Sequence, residues 1–87
     1  MSKQETRIAQ IGIIVEKGGQ VDELNGLLNK YSEYVVGRMG IPYRERGISI
    51  MSIIVDAPND AISALTGKLG MLKGVSTKAL YTDVGKK

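Results

Sequence analysis

Four segments of this 87-residue chain show the two-residue periodicity of strands, and two segments between them have helical periodicity. Residues 7–16 predict a first strand and 34–41 a second, while 46–56 and 74–83 predict a third and a fourth. The first and third segments are apolar on both alternating faces. That pattern is typical of strands at the centre of a sheet, covered on two sides.

The helical segments show apolar residues three and four positions apart. The first segment follows a turn at Lys17–Gln20 and has Asp22 and Glu23 in its first turn, where acidic groups favour the helix dipole. Pro58 suits the first position of the second helix, and Gly70–Gly74 suits its end. The apolar stripes are Val21, Leu24, Leu27, Leu28 and Tyr31 in the first helix, and Ile62, Leu65, Leu69 and Leu72 in the second.

The resulting order, β-α-β-β-α-β, predicts an α+β ferredoxin-like fold built as one domain over residues 1–87. We expect an ordered core over about residues 7–83, with flexible tails at 1–5 and 85–87. Right-handed crossovers place the first and third strands in the middle of a four-stranded antiparallel sheet, with both helices on one face.

The other face of such a sheet would be left open, although its two central strands are apolar on both sides. An apolar face of that size is unusual for a monomer, so we expect a homo-oligomer, a dimer or a tetramer, that covers it. The alternative is a monomer whose second face is screened by loops and long side chains. The expected interface residues are Met39, Pro42, Tyr43, Met51 and Ile53.

Composition excludes several classes of function. The chain has no cysteine and no histidine, so neither a thiolate nor an imidazole is available as a metal ligand or catalyst, and we expect no cofactor. Its nine carboxylates are scattered, which makes catalysis by side chains improbable. No apolar run is long enough to span a membrane, and the lack of cysteine fits a cytoplasmic protein.

Three of the four arginines, Arg38, Arg44 and Arg46, fall within residues 37–47, together with three glycines and Pro42. Glycine and proline fix turn geometry, and arginine presents a rigid fork of donors. The stretch therefore fits an anion site or a subunit contact. It also fits a hairpin loop whose arginines are simply solvated.

The stretches GRMGIPYRERGISI (37–50), DAPNDAISALTGKLGML (56–72) and IGIIVE (11–16) resemble the small proteins known as iron-only hydrogenase system regulators. The resemblance spans residue 7 to about residue 81. It implies a ferredoxin-like fold related to ACT regulatory domains and to the C-terminal domain of the nickel-responsive repressor, and a bacterial cytoplasmic setting. It implies no established activity. The repressor's metal chemistry uses His and Cys, which this chain lacks.

ACT-like domains bind small molecules near the turn after the first strand and at subunit interfaces. The resemblance therefore points to Gly18 and Gly19, whose backbone N–H groups lead into a helix N-terminus that attracts anions. The leading hypothesis is a non-enzymatic regulator that binds a small anionic ligand between subunits through these glycines and Arg38, Arg44 and Arg46. The alternative is a protein-interaction module without a ligand, assembled through the hairpin around Pro42 and Tyr43.

Two further functions fit less well. The sequence pI of about 9.3 permits nucleic-acid binding, but the cations are dispersed and no aromatic platform accompanies them, so we do not expect nucleic acid as a partner. A phosphatase-like enzyme would need an activated water beside an arginine-lined phosphate loop, and the arginines have no convincing partner for that role.

Overall fold

The alternating and helical segments fold into one four-stranded sheet and two α-helices in a computed structural model that describes residues 5–82. Apart from Glu5, the tails expected at 1–5 and 85–87 lie outside the described residues. Single 3₁₀ turns at Ser32–Tyr34 and Arg44–Arg46 precede and follow the second strand. The elements are β1 (Thr6–Glu16), α1 (Val21–Lys30), β2 (Val35–Tyr43), β3 (Ile48–Pro58), α2 (Asn59–Gly70) and β4 (Val75–Thr82).

The sheet is antiparallel, with the strand order β2-β3-β1-β4. The two strands that are apolar on both faces, β1 and β3, therefore lie at the centre, as their composition predicted. They pair along their whole length, from Thr6 opposite Pro58 to Glu16 opposite Ile48. The α+β ferredoxin-like fold predicted from the sequence is confirmed.

The hydrophobic core lies between the helices and one face of the sheet. Every second residue of β1, from Ala9 to Val15, is buried there, and the opposing residues of β3 lie beside them. Both helices contribute leucines to the same cluster, so this is the helix-covered face. Its buried members are Ala9, Ile11, Ile13, Val15, Leu24, Leu28, Ile53, Val55, Ala57, Ile62, Leu65 and Leu69.

Element ends differ from the sequence prediction at several points, and two of these involve the prolines. The second strand continues through Pro42 and Tyr43, and Gly47, with a φ of 67°, connects the 3₁₀ turn to β3. Pro58 does not occupy the first helical position, because its ψ of 150° keeps it extended as the last residue of β3. The helix begins one residue later, at Asn59.

Candidate functional site

The second face of the sheet has no helix over it, and we call it the open face. Directly paired strand residues share a face. Ile14, for example, pairs with Ile50 of β3 and Ser76 of β4, and Ile50 pairs with Ile41 of β2. The cross-strand rows of this face are Ile8–Asp56–Thr82, Gly37–Ile54–Gln10–Leu80, Met39–Ser52–Gly12–Lys78, Ile41–Ile50–Ile14–Ser76 and Tyr43–Ile48–Glu16.

Large apolar side chains dominate this face and remain exposed. Leu80 is 69% exposed, Met39 63% and Ile41 55%, while Ile14, Ile50 and Ile54 in the central strands are close to 40%. Single exposed apolar residues are ordinary on protein surfaces, but a contiguous group of this kind marks an interaction surface.

The polar groups of the open face are few. Near its centre, the Gln10 amide nitrogen donates a hydrogen bond of 3.0 Å to the Ser52 hydroxyl. The carboxylates of Glu16 and Asp56 stand in the outermost rows, and Lys78 is the one cation that the described strands place on this face. The middle of the face is therefore almost uncharged.

A depression opens on this face beside Gly12, which has no side chain. Its volume is about 430 Å³, and its lining includes Gly12, Ile14, Ile50, Ser76 and Lys78. Sequence reasoning did not single out Gly12 or Lys78. A glycine in the interior of a strand that is otherwise rich in isoleucine was the signal that could have indicated them.

Two residues expected at the interface lie on the other side of the sheet. Ile53 is 0% exposed within the core, and Met51 packs against that core from the same face. The prediction that they face a partner is therefore wrong, because the helices cover this set of β3 side chains. Of the other expected interface residues, Met39 and Tyr43 do lie on the open face, whereas Pro42 pairs with Ser49 on the helix-covered side.

The three arginines of residues 37–47 do not form one cluster. Arg38 pairs with Ile53, which puts it on the helix-covered side of β2, where it lines a surface pocket with Asn25, Asn29 and Ser32. Arg44 and Arg46 belong to the 3₁₀ turn at the end of the hairpin, and both are exposed. Within one chain the three arginines do not line a single site, and a site shared between subunits stays a prediction.

The glycine turn after β1 is held by its own hydrogen bonds. The Gly19 N–H donates to the Glu16 carbonyl at 2.8 Å, so it is already used within the turn. Gln20 secures this turn to the turn between α2 and β4, since its N–H donates to the Lys73 carbonyl at 3.1 Å and its side-chain oxygen accepts from the Lys73 N–H at 2.7 Å. Gly19 therefore stabilises a backbone contact and has no free donor for an anion.

Gly18 and Arg44 do come together at the corner of the sheet where β1 ends and the β2–β3 hairpin turns. They line one cavity of about 440 Å³, which also receives Lys17, Pro42 and Gly47. We call this the corner cavity. It retains part of the predicted anion site, one glycine and one arginine, and adds the cation of Lys17 and the carboxylate of Glu16.

Other classes of site find little support within residues 5–82. No three carboxylates gather where they could hold a metal ion, and the chain has no histidine or cysteine. Neither helix of this part of the chain is long and apolar enough to cross a bilayer.

One side chain with a shifted pKa, Tyr34, lies outside both the open face and the corner cavity. Partial burial, together with the neighbouring Glu33 carboxylate, raises the pKa of the Tyr34 phenol above its ordinary value of 10.0. Neutral tyrosine at physiological pH is the ordinary state, so this shift adds no catalytic group.

Fold and surface together define a class: a small ferredoxin-like α+β domain with helices on one face of its sheet and an uncovered apolar face on the other. The chain belongs to the TM1266-like family, described as "Iron-only hydrogenase system regulator, putative", whose profile matches residues 7–79. The family predicted from the residues is thereby confirmed. The further relation to ACT domains stays a prediction.

A solved relative has the same architecture. The uncharacterized protein TM1266 from Thermotoga maritima superposes with a TM-score of 0.85 at 36% sequence identity, covering 88% of this chain and 98% of that one. No curated protein matches this chain. The comparisons therefore give the family and the fold, and they describe no ligand or partner.

Proposed function

We propose that this chain is a non-enzymatic, cytoplasmic regulatory module that works as an oligomer assembled through its open face. The observation that carries this proposal is the contiguous group of exposed apolar side chains on that face, which includes Ile14, Ile50 and Ile54 on the two central strands. Membership of a regulator family agrees with a protein that acts by binding and assembly.

A second copy of the chain is the partner that the face fits best. Four strands ~4.8 Å apart and eight residues long, at ~3.3 Å per residue, cover roughly 500 Å². Two such faces bury roughly 1,000 Å² when each is treated as flat, and the uneven side-chain surface adds to this area. An area of roughly 1,000 Å² is about the minimum for a specific interface. The carboxylates of Glu16 and Asp56 stand in the outer rows and Lys78 lies on the edge strand β4, so packing around a two-fold axis leaves these charges near the rim.

The test is sedimentation velocity from micromolar to millimolar protein. We expect a dimer or tetramer, and we expect Ile50→Lys to raise its dissociation constant by roughly a hundredfold or more, because an unpaired ammonium would be buried. Leu80→Lys is a second variant, at a position 69% exposed in the single chain, where folding should not suffer.

Met71→Lys is the matched control, because Met71 is 85% exposed at the end of α2, away from the open face. A wild-type protein that sediments as one chain at every concentration would overturn the proposal. Equal effects of Leu80→Lys and Met71→Lys would show that another surface carries the assembly.

A small anionic ligand is a second candidate, favoured by the corner cavity. Lys17 and Arg44 bring two cations to its wall and Glu16 brings one carboxylate, which leaves a net positive lining, and the cavity borders the end of the open face at Ile48. Arginine binds carboxylate and phosphate in a bidentate manner, so either group suits Arg44. A ligand held here would lie beside the proposed interface.

The two arginine environments provide the matched comparison for this candidate. Inorganic phosphate, citrate and nucleotides are tested for a saturable rise in the melting temperature, since a ligand of the native state must stabilise it. We expect Arg44→Gln to abolish the rise and Arg38→Gln to leave it, because Arg38 lies in a different pocket. Equal losses in both variants, or no rise with any anion, would exclude the corner cavity as the site.

A further inference from the structure

Gly12 occupies a position where the chain itself does not require glycine. It lies in the middle of the central strand β1, paired with Ser52 on one side and Lys78 on the other. Its φ is not among the positive values, which occur at Gly18, Gly47 and Gly74. A Cβ atom added to it would meet nothing closer than the Lys78 carbonyl oxygen at 3.9 Å.

A glycine in a strand interior weakens the strand and often marks a place where a ligand or another backbone comes close. Here the missing side chain leaves the depression on the open face. Its volume of about 430 Å³ lies within the roughly 300–1,000 Å³ range of small-molecule sites. Ile14 and Ile50 are among its lining residues, so the space suits a hydrocarbon group.

The polar lining of the depression is asymmetric. Lys78 and Ser76 come from the β4 side, while Ile50 is the β3 residue of the open face in the lining. No carboxylate lines the depression, and Glu16 and Asp56 stand two rows away from Lys78 on the open face. The ammonium group of Lys78 therefore has no anionic neighbour within this pocket and complements a ligand with one negative charge.

We propose that the depression over Gly12 binds a short, branched aliphatic carboxylic acid, with its hydrocarbon group against Ile14 and Ile50 and its carboxylate paired with the Lys78 ammonium. The site lies within one chain and does not depend on the corner cavity. It rests on the proposed function in one respect: a second copy on the open face would close the depression, so ligand binding and self-association would reinforce each other.

The test is an NMR titration of the backbone amides with 4-methylpentanoate, with 4-methylpentanamide and acetate as the uncharged and the short controls. We expect saturable shifts at Gly12, Ile14 and Lys78, and about tenfold weaker binding of the amide, which has lost the charged partner of the ammonium. Acetate should bind too weakly to saturate, since it lacks the apolar group.

Two variants separate the parts of the site. Lys78→Gln should remove the preference for the acid over the amide, whereas Lys30→Gln, an exposed lysine at the end of α1, should preserve it. Gly12→Val should abolish binding of both compounds by filling the depression. If Gly12→Val does not fold, as judged by circular dichroism, the Lys78→Gln comparison decides alone.

The proposal is overturned if acid and amide bind equally, if Gly12→Val binds like the wild type, or if the shifts appear only around Arg44 and Gly18. Repeating the titration in Leu80→Lys, a variant outside the depression, separates this proposal from the oligomer. Binding to a monomeric variant would support the site even if self-association through the open face failed. An oligomer with no response to the acid would refute the site and leave the assembly intact.

Discussion

A methyl group at Gly74 should destabilise this fold more than one at any neighbouring glycine, because two backbones touch there. An alanine Cβ at position 74 would stand 2.8 Å from the Cα of Gly19, and Gly74 has a φ of +74°. Overpacking against backbone costs about 1–3 kcal/mol. A left-handed conformation costs a non-glycine residue about 1–2 kcal/mol. We therefore expect Gly74→Ala to lower the free energy of unfolding by about 3 kcal/mol.

In the opposing turn, Gly19 would meet only the steric cost and Gly18 only the cost of the left-handed backbone conformation. Gly19 has an ordinary φ, but its Cβ would lie 2.9 Å from Val15 Cγ1 and 3.0 Å from the Glu16 and Gly74 carbonyl oxygens. Gly18 has a φ of +85° with nothing within 4 Å. We expect losses of about 2 kcal/mol for Gly19→Ala from the clash. For Gly18→Ala we expect about 1 kcal/mol from the backbone conformation.

Urea denaturation followed by circular dichroism measures these differences against a total stability of about 5–10 kcal/mol for a domain of this size. Gly26→Ala is the control, because Gly26 is exposed within α1 with open space around it, and it should gain about 0.5–1 kcal/mol. The reasoning fails if Gly18→Ala costs more than Gly74→Ala, or if Gly74→Ala unfolds like the wild type. Either result would show that close packing between the two turns does not restrict position 74 to glycine.

Two further side chains lead to predictions about stability. The Thr77 hydroxyl oxygen is buried without a hydrogen-bond partner among the described residues, so Thr77→Val should raise the free energy of unfolding by about 1 kcal/mol, and a loss of that size in urea denaturation would reveal a hidden partner. The raised pKa of Tyr34 means that the folded state holds the phenolic proton more tightly than the unfolded state does. Its contribution is complete below the unfolded pKa of 10.0 and is lost as the pH rises through the higher folded value. Tyr34→Phe should therefore flatten the fall in stability above pH 10, and an unchanged alkaline profile would contradict the shift.

The order of the elements could be worked out from local pattern alone. Alternation identified all four strands, and the doubly apolar character of residues 7–16 and 46–56 placed those strands at the centre, where β1 and β3 lie. Helical spacing likewise located both helices to within a few residues. These features depend on neighbours along the chain, so the residues themselves carry the signal.

The choice between the two faces of the sheet was beyond local pattern. In β3, the alternating residues that share a face with Ile50 and those that share a face with Ile53 are both largely apolar. The two-residue period shows that these two groups point to opposite faces, but it does not show which face the helices cover. For this reason Met51 and Ile53 were expected at an interface and are found against the core. The crossovers of the whole chain decide which face is covered, and that is a long-range property.

The candidate sites show the same division between what the residues determine and what the fold decides. Composition alone determined that neither thiolate nor imidazole chemistry is available, because the chain has no cysteine and no histidine. Only the tertiary structure separated Arg38 from Arg44 into different pockets and committed the Gly19 N–H to Glu16. It also placed Lys78 beside the empty position at Gly12, 66 residues away in sequence but directly paired across two strands. Pairing between distant strands brings such groups together, and no local pattern encodes it.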